Sequence, residues 1–297
     1  MNSGESEAGA GESRAMGSHS DTRVGLLYVT LGTALFSTSS VLVRWAAPLS
    51  PFEIGFWRMV IAAATVWMLA RLRGEALSLY RVDLPRFAVF GLVAALHFGC
   101  YIASLSFTTV AHSLALVYTS PIFVTLFSAI FLHEPVARRK WLGILVAVLG
   151  VAVLVGLEPT LDGRMVVGDL LALASAVWFG FYSVIGRAQR QRYSLLTYAT
   201  GVYAVAACWI LPAAAFTWTG AFSGVAVVSL LAMGIFPLGI GHTLYNAALR
   251  RLHPTYVNLV ATQEVTGGVI LALLLLGEAP SLNAIVGAAI TLVGIAV

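Results

Sequence analysis

Ten apolar stretches, each close to twenty residues and joined by short polar connections, set the terms for what this chain can fold into. They run over roughly 24–45, 51–71, 85–106, 111–132, 141–157, 167–186, 194–217, 224–249, 254–276 and 281–297. About 20 apolar residues, at ~1.5 Å each in a helix, cross the ~30 Å hydrocarbon core of a bilayer. Lipid offers no partner to an unpaired backbone N–H or C=O, so every crossing must be helical. The expected fold class is an all-α integral membrane protein with ten transmembrane helices. Composition bears on what is excluded. Of 297 residues, 59% are hydrophobic and 10% are charged, against about 45–50% and about 25% in soluble domains. So few charges could not cover the surface of a soluble domain, which excludes a cytosolic enzyme, a secreted disulfide scaffold and a disordered protein. Cys100 and Cys208 both lie inside apolar runs, so neither a disulfide nor a cysteine metal motif is expected.

Residues 1–23 are rich in Gly, Ser and Glu, lack apolar periodicity, and are expected to form a disordered cytoplasmic tail. They lack the pattern of a signal peptide. The last stretch stops at Val297, short for a full crossing, as expected of a truncated chain or of a helix that ends at the surface.

Basic residues set the orientation. The side that holds the N-terminus carries Arg14, Arg23, Arg71, Arg73, Arg81, Arg86, Arg138, Arg139, Lys140, Arg187, Arg190, Arg192, Arg250 and Arg251. The other side carries only Arg44 and Arg164, and Arg58 lies within the second helix. Fourteen against two predicts a multi-pass protein of the cell (inner) membrane with both termini in the cytoplasm. Arg138-Arg139-Lys140 fits this topology and contact with lipid, not a nucleotide site.

The two halves repeat. At an offset of 144, Glu134 matches Glu278, Gly143 and Gly150 match Gly287 and Gly294, and Tyr101 matches Tyr245. At an offset of 143, Phe36, Ser40, Val41 and Arg44 match Phe179, Ser183, Val184 and Arg187. Shared apolar composition explains Leu and Ala matches; it does not easily place a Glu, two Gly and a Tyr in one register. The expected units are 24–157 (helices 1–5) and 158–297 (helices 6–10). Five crossings is an odd number, so the second copy enters from the opposite face and the repeats are inverted, the architecture of alternating-access transporters.

Several motifs recur on this frame: Tyr118-Thr119-Ser120-Pro121, Leu132-His133-Glu134-Pro135, Trp141-Leu142-Gly143 and Gly150, then Glu264, Leu276-Gly277-Glu278 and Gly287, with Phe56-Trp57-Arg58 in the second helix. As a set they resemble the EamA domains of the drug/metabolite transporter superfamily, over about residues 24–297. The resemblance implies ten helices, a central cavity and movement of small metabolites, often outward. One departure is Val265, where the family often has Pro after the Glu of helix 9.

Polar residues inside the membrane mark candidate sites. Helix 1 carries Thr30, Thr33, Ser37, Ser40 and Arg44 within about 80° of one another at ~100° per residue, a stripe expected to wall a cavity. Alternatively, its hydroxyls bond their own preceding carbonyls. Helix 3 offers His97, Tyr101, Ser104 and Thr108; helix 8 offers His242, Tyr245 and Asn246; Asn258 and Thr262 precede Glu264 in helix 9. These residues can line a cavity or bond helices together. Trp178 and Tyr182 could stack an aromatic substrate, although core packing is the commoner role of such side chains. Glu264, mid-membrane, is a proton carrier, a substrate partner, or half of a buried pair with Arg58. Glu134 and Glu278, near the interface, are expected to cap the helices that follow them. Pro121, Pro237 and Gly267-Gly268 are expected bends.

The expected function is secondary transport of small amphipathic or zwitterionic metabolites such as amino acids, outward and proton-coupled through Glu264. The alternatives are a membrane enzyme acting on a lipid-like substrate, and a channel. An enzyme would need paired carboxylates, a His–Asp pair or an activated nucleophile, and sequence spacing displays none. No phosphate loop is present, so ATP is not the expected driver. No catalytic residue, cofactor or metal is expected. The expected partners are a small-molecule substrate and membrane lipid, with no nucleic acid; a homodimer is compatible with the sequence.

Overall fold

The structure is a computed structural model, and it describes residues 21–78, 80–131, 137–159, 161–189, 191–252 and 254–296. The expected tail lies outside the described residues up to residue 20, and so does Glu134. Residues 21–23 are helical, so the first helix starts inside the segment expected to be tail.

Among the described residues ten apolar helices follow one another: α1 (Asp21–Trp45), α2 (Pro51–Leu72), α3 (Arg81–Ser104), α4 (Val110–Phe131), α5 (Arg138–Gly156), α6 (Gly163–Gln189), α7 (Leu195–Phe216), α8 (Gly224–Leu249), α9 (Val257–Leu276) and α10 (Leu282–Ala296). All but α5 and α10, which are shorter, are long and apolar enough to cross a membrane. Helix starts are written in the sequence. Ser50, Thr109, Ser194 and Ser223 cap α2, α4, α7 and α8, each side chain accepting a backbone N–H three residues on. Ser50 and Glu53 form a reciprocal capping box with Pro51 at the first helical position. Glu53 also accepts from Thr219 Oγ1 at 2.8 Å and Gly220 N at 3.1 Å. It therefore ties the α7–α8 loop to the start of α2.

The packing obeys the inverted repeat. Gly150 approaches Gly287, and Gly294 approaches Gly143: a Cβ on Gly287 would lie 2.7 Å from Gly150 O, and one on Gly294 2.6 Å from Gly143 O. Because Gly287 and Gly294 are the repeats of Gly143 and Gly150, each contact exchanges one position for its counterpart, as a two-fold axis between antiparallel α5 and α10 requires. Small residues let these backbones approach in lipid, where no hydrophobic force drives helices together. Elsewhere α2 runs along α7, α3 along α6 and α7, and α4 against α6.

Three of the long helices are interrupted near mid-span, each at a threonine. Thr38, Thr119 and Thr262 bond the carbonyls of Leu35, Leu116 and Leu259 at 2.7, 2.7 and 2.6 Å. Such i−3 bonds compete with the helical ladder. Thr119 and Thr262 are themselves equivalent at an offset of 143. In α4, Pro121 adds to the break, because it cannot donate to the Val117 carbonyl. In α9 the break falls at Thr262, not at the expected Gly267-Gly268, which lie within continuous helix. In α8, Gly234–His242 is a π-helix containing Pro237. The wider turn accommodates a ring that would otherwise meet the preceding turn.

Candidate functional site

The interruptions converge on one buried place. Tyr118, just before the break in α4, donates from its hydroxyl to Oε2 of Glu264, just after the break in α9. Around them lies a narrow cavity of about 30 Å³, room for roughly two waters. Its wall is made by Phe36 and Ser39 of α1, Arg58 of α2, His97, Phe98 and Tyr101 of α3, Val117 and Tyr118 of α4, Phe179 of α6, His242 of α8 and Glu264 of α9. Both repeats therefore contribute, and broken helices at membrane depth are tolerated only where protein or a cavity receives their freed groups.

The polar wall is incompletely satisfied. Arg58 is 2% exposed and Glu264 7%. Arg58 Nε and Nη1 and His242 Nδ1 are all buried without a hydrogen-bond partner. Buried polar groups are nearly always paired, so a cluster of unpaired ones on a single cavity points to a ligand or to water. The Arg58 guanidinium lies 5.0 Å from the Phe98 ring centroid. The expected buried ion pair is not formed: no carboxylate lies within 4.0 Å of Arg58 among the described residues, and Glu264 is held by Tyr118 instead. His97 is fixed from the other side. Ser175 Oγ donates to the His97 carbonyl at 2.9 Å, while His97 Nδ1 lies 2.9 Å from that hydroxyl and 3.1 Å from the Ser175 carbonyl. The Ser175 proton is thus committed to a carbonyl. His97 Nδ1–H then donates to Ser175, leaving Nε2 as an acceptor. Phe179 stacks on the same ring at 4.7 Å, and His242 lies 4.4 Å from the Phe36 ring.

Of the residues singled out from the sequence, Arg58, His97, Tyr101, His242 and Glu264 meet on this cavity. The others do not line it. Ser37 and Ser40, expected on the wall, face the α9 glycines: a Cβ on Gly267 would lie 2.3 Å from Ser37 Oγ, and one on Gly268 3.6 Å from Ser40 Oγ. Arg44 bonds Glu278 at 3.3 Å and the Thr108 carbonyl at 3.0 Å, at the end poor in basic residues. Trp178 packs against Phe181. Asn246 donates to Tyr182 OH at 3.1 Å and borders a separate crevice with Arg187 and Arg250. Tyr245 donates to Asn258 Oδ1 at 2.8 Å, and the Thr262 hydroxyl bonds its own helix. Glu278 accepts from the backbone N of Val110, so it caps α4 rather than α10, whose first turn is capped by Ser281. The structure adds Ser39 and Tyr118. The Tyr118-Thr119-Ser120-Pro121 run was the available signal for Tyr118.

A His–Asp pair that linear spacing conceals is also present. His112 Nδ1 lies 3.0 Å from Asp169 Oδ2, away from the cavity. No cluster of three or more His, Cys, Asp or Glu suited to a metal ion occurs among the described residues.

Comparison with known proteins agrees with this architecture. The EamA-like transporter family matches residues 23–156 and 166–297. The chain is 32% identical over 228 residues to a protein from Pseudomonas aeruginosa named pseudopaline exporter, covering 73% of this chain and 78% of that one. It is 29% identical over 168 residues to a riboflavin transporter from Rhizobium johnstonii, covering 54% and 53% of the two chains. A crystal structure superposes with a TM-score of 0.69 at 21% identity, over 94% of this chain and 96% of that one, and has the same fold.

Proposed function

The chain belongs to the EamA-like transporter family, and we propose that it exports a small zwitterionic metabolite, an amino acid or a related amphipathic compound, by alternating access. One observation carries the substrate class. A guanidinium with two unpartnered nitrogens and a carboxylate with a single hydroxyl donor share one buried cavity. A substrate carboxylate would give Arg58 a charge-assisted hydrogen-bond partner. A substrate ammonium would take the open side of Glu264. The Phe36, Phe98 and Phe179 rings would receive the apolar portion. A phosphorylated sugar would bring two or more negative charges to a cavity with one cation and one carboxylate.

Direction and orientation complete the reading. Fourteen of the seventeen basic residues belong to one face, and we place that face, with both termini, in the cytoplasm of a cell membrane. The name of the P. aeruginosa relative supports outward movement. The cavity has room for water but not for a metabolite, so the conformation described corresponds to an occluded state, and the repeats must part on one side to admit substrate. The same geometry supports proton coupling: a proton on Glu264 would remove the charge that holds the ammonium, so proton and substrate would compete for one carboxylate.

The test is a ligand panel read by thermal unfolding of the purified protein, because a compound that binds only the folded state raises its melting temperature. Zwitterionic amino acids should raise it, while the matching amines and carboxylic acids should not, and Arg58→Gln should abolish the shift. A panel in which single-charge analogues stabilise as well as zwitterions contradicts the assignment.

A further inference from the structure

A line of side chains leads from the cavity toward the end of the bundle rich in basic residues, and one hydrogen bond crosses it. Phe179 of α6 and His242 of α8 stand on the cavity wall. Tyr182 and Asn246 follow them by three and four residues on the same helices, and Gly186 and Arg250 lie four residues further on. Residues three or four apart share a helix face, and four residues advance about 6 Å. The Tyr182 ring centroid lies 6.0 Å from that of Phe179, 6.2 Å from His242 and 6.4 Å from His97. Its hydroxyl accepts from Asn246 Nδ2 at 3.1 Å. Tyrosine suits this place, with its apolar body against the cavity rings and its polar tip turned away from them. Tyr182 and Asn246 are thus a thin septum.

Beyond the septum lies the crevice that Asn246 borders. Its rim, with Gly186, Arg187 and Arg250, is half-buried, and its floor, with Tyr198 and Asn246, is buried. Arg250 is anchored through Nη2 to the Tyr193 carbonyl at 2.9 Å. Tyr198 is 4% exposed, and its hydroxyl has no hydrogen-bond partner among the described residues. A Cβ on Gly186 would stand 3.6 Å from that hydroxyl and 3.8 Å from Asn246 Oδ1. The space that a side chain at 186 would take is therefore the crevice itself. Buried hydroxyls are nearly always paired. An unpaired donor on the floor, beneath a rim that carries two guanidinium groups, fits an oxyanion.

We propose that this crevice is the entry to the cavity from the cytoplasmic face. It receives the carboxylate of the substrate, which passes on toward Arg58 when the Tyr182–Asn246 bond parts. A mouth lined by one sign of charge raises the local concentration of the opposite sign. The entry rests on the alternating-access reading and on placing the basic face in the cytoplasm, but not on which zwitterion is carried.

The experiment measures access to the cavity with two thiol reagents and no substrate. Ser39→Cys, in a background carrying Cys100→Ser and Cys208→Ser, reports the cavity in right-side-out and inside-out vesicles. A sulfonate-bearing methanethiosulfonate stands in for the carboxylate, and a trimethylammonium-bearing one controls for charge, each rate being taken relative to that with a free thiol. From the cytoplasmic face the sulfonate should react at least threefold faster, and Arg250→Gln should lower that ratio at least twofold. Asn246→Ala should raise the cytoplasmic rate at least fivefold without raising the outer-face rate; where it does not fold, Tyr182→Phe removes the same bond. Gly186→Leu, whose Cβ makes only ordinary contacts and whose side chain fills the crevice, should lower the cytoplasmic rate at least fivefold. An unchanged rate in either variant, with elution and melting that match the parent, overturns the entry. So does a charge ratio untouched by Arg250→Gln. A ratio that collapses when phosphatidylglycerol is added to phosphatidylcholine proteoliposomes gives the crevice to a lipid headgroup and also overturns it. Reactivity from neither face in any variant overturns alternating access itself.

Discussion

Replacing Arg58 with Met separates a binding group from a structural one by the sign of its effect. The guanidinium lies in the second helix, 2% exposed, with Nε and Nη1 unpartnered. An arginine near the centre of a transmembrane helix costs about 2.5–3.5 kcal/mol on insertion scales. Against this stands the face of Phe98, with its centroid 5.0 Å from the guanidinium carbon, a contact that contributes about 2 kcal/mol when desolvated. Met keeps an unbranched apolar stem and drops the charge. The difference predicts that Arg58→Met stabilises the ligand-free protein by about 0.5–1.5 kcal/mol and eliminates the ligand-induced shift in melting. Were Arg58 the structural partner of Glu264, its removal would strand a buried carboxylate and cost about 3–5 kcal/mol. Equilibrium unfolding in bicelles, with and without a zwitterionic ligand, measures both quantities. A loss of 3 kcal/mol or more in the ligand-free protein refutes the reasoning.

Further consequences bear on the cavity wall and on the repeat axis. Tyr118→Phe leaves Glu264 Oε2 without its donor and should cost about 1.5–3 kcal/mol; a double-mutant cycle with Glu264→Gln that gave no coupling would remove this bond from the account. Ser175→Ala deletes the hydroxyl that meets His97 at both its ring nitrogen and its carbonyl and leaves the ring held by the Ser175 carbonyl alone, so it should raise the transport KM with little change in the melting temperature; an unchanged KM would contradict a role for the His97 orientation in binding. Gly294→Val places a branched side chain where a Cβ alone would lie 2.3 Å from Ala147 N, so α5 and α10 must separate at a cost of about 1–3 kcal/mol or more; an unchanged melting temperature would contradict the close approach of these helices.

The architecture was legible because lipid narrows the choices. Ten apolar runs must be ten helices, and an odd count per copy forces inversion. Arg58, His97, Tyr101, His242 and Glu264 were legible for a related reason, since a polar side chain at membrane depth must face protein or water. What failed was angular phase. The stripe through Ser37 and Ser40 assumes an unbroken α1 at ~100° per residue, but the helix is interrupted at Ser37-Thr38, and it is Ser39 that reaches the cavity. The π-helical turns of α8 do the same beyond Pro237. His242 enters the cavity, while Tyr245 turns to Asn258 and Asn246 to Tyr182. Glu278 was misassigned for a different reason. A carboxylate near one helix start can serve the start of a neighbouring helix at the same end of the bundle, and only the fold shows that Val110 is the nearer donor.

The central claim is that two inverted five-helix units enclose a charged cavity that carries a zwitterion from one side of the membrane to the other. Counterflow in proteoliposomes tests it most directly: vesicles preloaded with an unlabelled neutral amino acid, drawn from those that raise the melting temperature, are given a trace of the labelled compound outside. The account predicts transient uphill accumulation that saturates with concentration and disappears in Arg58→Gln. Label that only equilibrates, at a rate linear in concentration and equal in Arg58→Gln, would contradict it.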